Sequence, residues 1–153
     1  MDDTEMLSLI SSQTALETEE LRSCNALTLR YGLSLSDAQI RNLVQRRFSA
    51  LRDTGRVEFG SGILKKLAVE FCDSPYISQE NYEDTLLELQ DSFYYFKNES
   101  QDQIPDDELI SFMKRCFDGV CQGSLDYLSG TTLEDLCRNT RYGYKTDGDG
   151  RLF

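Results

Sequence analysis

A chain of 153 residues, 39% hydrophobic and 28% charged, is long enough to bury one core without disulfides or a structural metal, and too apolar to stay disordered. It contains no histidine, which removes Ser-His-Asp and Cys-His nucleophile activation and every histidine-bearing zinc or di-iron site. A net charge of −11 opposes non-specific binding to phosphate backbones, so nucleic acid is not an expected partner.

The start, MDDTEMLSLI, is acidic where a secretory or transit leader is basic, and residues 1–13 are expected to attach loosely to the rest of the chain. Thr14-Ala-Leu-Glu17 matches a capping box and predicts a first helix over about 15–31 with Leu21, Cys24, Leu27 and Tyr31 inward, closed by Gly32. Ser36-Asp-Ala-Gln39 is a second such box. It opens a helix over about 37–53 that presents Ile40, Leu43, Val44, Phe48 and Leu51 to a core and stops near Thr54-Gly55.

After a short extended piece, Gly60-Ser-Gly62 leads into a third helix with Leu64, Leu67, Ala68 and Phe71 on one stripe, ending before Pro75. Ser78 is the expected cap of the most periodic segment, about 79–97, where Tyr82, Leu86, Leu89, Phe93 and Phe96 recur at helical spacing. Pro105 suits the first turn of a fifth helix through Leu109, Phe112 and Met113. Thr131-Thr-Leu-Glu134 predicts one more short helix, followed by Gly143, and residues 144–153 read as a mobile tail. The expectation is an all-α, single-domain bundle of five to seven helices over 1–143, with negligible β-structure because no apolar segment has period two.

No apolar run reaches the roughly 18–20 residues of a membrane span, so a cytoplasmic protein with reduced thiols is expected and no membrane association. Cys116, Cys121 and Cys137 lack the close pairs and the fourth ligand of a zinc site. With Phe112, Met113, Phe117 and Val120, the first two trace a helical stripe and read as core. Within this stretch Gly119 and Gly123 are costly inside a helix and mark a kink, a close crossing or a break. The spacing implies neither a metal nor a cofactor and supplies no catalytic set.

Charge is segmented along the chain. Residues 21–72 carry nine bases against four acids, and residues 73–110 carry eleven acids against one base. In the basic part, Arg56, Ser61, Lys65 and Lys66 surround a helix start that could hold a phosphate, although the G-K-[ST] ending of a phosphate loop is missing. In the acidic part, Glu80, Asp84, Glu88 and Asp91 share one helix face, either solvated, paired with Arg41, Arg46, Arg47 and Arg52, or holding a cation. Tyr94 and Tyr95 cannot both face one core. With Asp73 and Tyr76 in a nearby turn, they form a candidate interaction surface.

The stretches FCDSPYISQENYEDTLLELQDSFYYFKNES (71–100) and DDELISFMKRCFDGVCQGSLDYLSGTTLEDL (106–136) resemble an uncharacterised family of small acidic proteins from Firmicutes, a domain of unknown function. The resemblance spans about residues 20–143. It implies a bacterial cytoplasmic protein of one family domain and brings no catalytic residues with it. The functional expectation is a non-enzymatic helical interaction or accessory protein acting on a protein partner or as a homodimer. The alternative is a small-anion or nucleotide-binding protein, an enzyme included, built on residues 56–66. A third reading, acidic mimicry of DNA, fits the mixed charge of 21–72 less well.

Overall fold

In a computed structural model the chain is all-α, and no strand occurs among the residues the structure describes, 3–56, 58 and 63–141. The tail over 144–153, together with Gly60, Ser61, Gly62 and Gly143, lies outside the described residues. The helices are α1 (Asp3–Thr28), α2 (Asp37–Asp53), α3 (Leu64–Phe71), α4 (Tyr82–Glu99) and α5 (Asp106–Asp118). The last part of the chain runs as one turn of helix α6 (Leu125–Tyr127), a π-helical turn (Leu128–Thr132) and α7 (Leu133–Arg141).

Three helix starts differ from the sequence expectation, two of them for one physical reason. A capping side chain is needed only where the first backbone N–H groups lack an intrahelical carbonyl. Because α1 already runs from Asp3, Thr14 sits in its interior rather than at a start. Likewise Ser124, whose hydroxyl accepts from the Tyr127 N–H at 3.2 Å, starts the final helical run, so Thr131 falls within the π turn. Ser78 donates its N–H to Asn81 Oδ1 at 2.9 Å, and α4 begins after Asn81 rather than at 79. The box at Ser36 is real: its hydroxyl takes the Gln39 N–H at 3.2 Å while Gln39 Oε1 takes the Ser36 N–H at 2.9 Å. Gly32, at φ 78°, closes a 3-10 turn (Leu29–Tyr31) after α1.

Helix α4 is the centre of the bundle, packed against α2, α3, α5 and α7. Being covered on several sides, it buries Tyr82, Leu86, Leu89, Phe93, Tyr94 and Phe96 together, more than one amphipathic stripe supplies. Its final turn is fastened to the start of α5 by Lys97, which reaches Asp106 at 2.8 Å and donates to the Ile104 carbonyl. Phe71 of α3 meets Phe117 of α5 edge to face, with ring centroids 5.6 Å apart. All five cysteines are free and buried in this packing. On α1 the inward residues are Glu17, Leu21, Cys24 and Thr28; Tyr31, expected inward, is exposed because the helix tightens into the 3-10 turn before reaching it.

The two glycines after α5 resolve as a helix break. Gly119 ends α5 with its N–H on the Arg115 carbonyl, and the chain turns through Gln122 and Gly123 at φ 48° and 81° before Ser124. A Cβ on Gly123 would stand 2.6 Å from Cβ and Cγ of Tyr76, so the ring of Tyr76 rests on bare backbone there.

Candidate functional site

Both α2 and α7 pack on α4, and the space left between them is a cleft of ≈ 630 Å3. Ser49, Ala50 and Asp53 of α2 form one wall, Glu134 of α7 the other, and Tyr95 of α4 lies between, with Gly130 of the π turn beside it. Each position follows from local sequence. Tyr95 sits one residue past buried Tyr94, so the helical rotation of about 100° per residue carries it out of the core, leaving it 51% exposed. Its ring is steadied by Phe96, edge to face at 4.9 Å. Gly130 has nothing within 4 Å of where a side chain would begin, so the cleft stays open above the π turn. Ser129 and Thr132 return their hydroxyls to the Leu125 and Leu128 carbonyls at 3.0 and 2.9 Å, which helps satisfy the widened turn.

The rim of the cleft is ionic and held in place. Arg46 grips Asp91 through Nε and Nη2 at 3.0 and 2.8 Å, a two-point contact that spans α2 and α4. This is the charge pairing envisaged for the acidic face of α4, and Asn42 adds a hydrogen bond to Glu83 at 3.1 Å. Asp84 and Glu88 on the same face are exposed. Of the acids lining the cleft, Asp53 has only a loose 3.8 Å approach from Arg52, and Glu134 has no ion pair within 4.0 Å among the described residues.

The other expected surface residues divide. Tyr94 is a correction: it is fully buried, its hydroxyl donates to Glu58 Oε2 at 2.9 Å, and burial pushes that hydroxyl's pKa up. Asp73 and Tyr76 serve the turn between α3 and α4, and neither lines the cleft. Lys114 bridges Asp73 at 2.8 Å and Asp118 at 2.7 Å, Ser74 donates to Asp118 at 2.6 Å, and Tyr76 packs on Phe117 and Gly123. The four expected residues therefore do not form one surface: Tyr94 and Tyr95 both border the cleft, Tyr94 as a buried residue and Tyr95 as a half-exposed one, while Asp73 and Tyr76 lie elsewhere.

Two of the basic residues around 56–66 are likewise committed elsewhere. Arg56 binds Asp102 at 2.8 Å and lies 3.8 Å from Glu58, while Lys66 binds Asp107 at 2.8 Å. Lys65 and Lys66 border a smaller recess of ≈ 460 Å3 shared with Glu70, Asp107 and Ser111, whose acids offset the lysines. Ser61 lies outside the described residues.

Sequence reasoning missed a buried ionic group. Arg47 of α2 is fully buried, with Nη2 3.6 Å from Glu58 Oε2, and Glu17 of α1 is 1% exposed. Neither the Arg47 nitrogens nor the Glu17 oxygens have a hydrogen-bond partner among the described residues. Burial raises the Glu17 carboxyl to about 8; Arg47 pulls it down, and Glu20 and Glu58 push it further up. A signal was present. Arg47 continues the stripe Ile40, Leu43, Val44, Leu51, and Glu17 stands four residues before Leu21 on the inward face of α1.

The cysteines have the surroundings of packing residues. Burial raises the thiols of Cys24, Cys72 and Cys121 above their usual range, which suppresses the nucleophilic thiolate. The Cys137 thiol donates to the Phe96 carbonyl at 3.4 Å. Among the described residues no three His, Cys, Asp or Glu side chains converge as metal ligands, and no helix is long and apolar enough to cross a membrane.

Residues 20–146 match the model of a family of unknown function, DUF6323, over well more than half of the chain. The chain belongs to this family. No curated protein and no solved structure matches it. The DUF6323 match takes in α2 to α7 and therefore the whole of the cleft, whereas Glu17 precedes it. In this DUF6323 chain the cleft residues come from positions as far apart as Asp53, Tyr95 and Glu134, and only Tyr95 carried a recognisable signal, as a surplus aromatic beside a core stripe.

Proposed function

We propose that the protein is a non-enzymatic interaction or accessory protein of the bacterial cytoplasm, and that a protein partner docks in the cleft between α2 and α7. The observation that carries this reading is the half-exposed Tyr95 set between two helix walls and beside the open π turn at Gly130. Aromatic side chains with a polar rim are the usual anchors of protein interfaces, and π turns recur at functional positions in helices. The Arg46–Asp91 clasp keeps the α2 wall in register with α4, so little ordering is needed on binding. The resemblance to proteins of Firmicutes supports the bacterial setting, and five unpaired thiols suit a reducing compartment such as the cytoplasm. The anion-binding alternative draws less support, because Arg56 and Lys66 are each occupied by a carboxylate at 2.8 Å.

Capture from a native bacterial host tests the reading. The wild-type chain should retain a defined partner that is lost with Tyr95→Ala and with Gly130→Trp, the second of which fills open space. Both variants should melt within a few degrees of wild type, since neither position is in the core. A chain that captures nothing, or a partner retained equally by both variants, counts against the cleft.

A further inference from the structure

Once Asp91 is taken up by Arg46, the charges that line the cleft are those of Asp53 on α2 and Glu134 on α7, one on each wall. No cation touches Glu134 within 4.0 Å among the described residues, and the Arg52 contact to Asp53 is 3.8 Å between two exposed groups. Tyr95, half-exposed, lines the same cleft from α4, the helix on which both walls pack. Carboxylates flanking an aromatic ring suit a cation, because the ring face and the acids both attract positive charge. The approach is favourable as well: Asp84 and Glu88 continue along the exposed face of α4, and the chain as a whole carries −11. An acidic or nucleic-acid partner would meet the same field as repulsion.

We infer that the occupant of the cleft is a basic segment of another protein, which sets an arginine or lysine side chain on Tyr95 between Asp53 and Glu134 and lays apolar side chains along Ala50 and Gly130. This rests on the reading of the cleft as the docking surface and adds the chemistry of the partner. Arginine fits better than lysine, since its flat guanidinium can stack on the ring while its edges donate to both carboxylates. A second copy of this chain would compete for the same place through exposed bases such as Arg41, and the experiment separates it.

Amide resonances of the isotope-labelled full chain are followed during titration with short capped peptides alternating Arg and Leu, at low salt, with Gln-for-Arg and Glu-for-Arg versions as controls. The Arg peptide should move Tyr95, Ser129 and Gly130. Its affinity should fall about twofold to fivefold with Asp53→Asn or Glu134→Gln, and about tenfold with Tyr95→Ala. Equal or tighter binding of the Gln or Glu peptide at these resonances overturns the basic partner and leaves the interaction reading intact. Shifts there that depend only on protein concentration assign the cleft to a second copy and overturn it too. Silence from all three peptides, with partner capture still sensitive to Tyr95→Ala, also removes the basic segment, whereas loss of both results removes the interaction reading itself.

Discussion

Gly123→Ala should destabilise the protein by about 3 kcal/mol, lowering its melting temperature by roughly 5–12 °C. Two independent terms add. The backbone at Gly123 has φ 81°, where an L side chain meets its own chain, and the new methyl would sit 2.6 Å from the Cβ of Tyr76, well inside contact distance. Tyr76 has little room to withdraw, because its ring also packs on Phe117 with centroids 6.2 Å apart and its N–H is held by Ser74 at 3.3 Å. Gly130→Ala should do the opposite and stabilise by about 0.5–1 kcal/mol, since that glycine sits in a helical turn outside the left-handed region with open space around it. Thermal and urea melts of both variants check the pair. Measured against Tyr76→Gly alone, which removes both the Cβ and the Cγ that the new methyl would meet, Gly123→Ala should lose its steric part and keep the backbone part. A neutral Gly123→Ala would mean that the 119–124 turn does not fix Tyr76.

Stability should also fall as pH rises from about 5 to 8, through Glu17. Its carboxyl titrates near 8 in the folded chain against 4.5 for an unperturbed group, so over that interval the folded state holds a proton that the unfolded state has lost. The stabilisation is therefore complete below the lower value and disappears as pH climbs through the upper one. Buried among Arg47, Glu20 and Glu58, Glu17 is neutral over most of this range, and the cost of keeping it so reaches on the order of 3 kcal/mol by pH 8. Glu17→Gln removes the titration while keeping the shape. Its melting temperature should pull ahead of wild type by roughly 6–12 °C between pH 5 and 8. A constant gap across that range would show that Glu17 is hydrated in the folded protein.

How far the sequence led depended on what each signal reports. Periodicity reports burial along one helix, and it placed α2, α3 and the body of α4 well, including the stripe that Phe93 and Phe96 share. Capping motifs report only that a side chain could accept an N–H, which is why Ser36 was legible and Thr14 and Thr131 misled: inside a continuous helix the N–H groups are already spent on carbonyls. Expecting charged residues to face solvent hid Arg47 and Glu17, although both stand at inward positions of their helices. Apart from the surplus aromatic at Tyr95, the cleft had no linear signature, because Asp53, Tyr95 and Glu134 come to line one space only when α2 and α7 settle on α4.

In-cell photo-crosslinking tests the central claim most directly. A photoreactive phenylalanine analogue in place of Tyr95 should give a discrete adduct with one partner, and Gly130→Trp in the same chain should abolish it. The same analogue at Val120, which is 58% exposed and outside the cleft, should not give that adduct. No adduct from position 95, or one that persists beside Gly130→Trp, would contradict docking between α2 and α7.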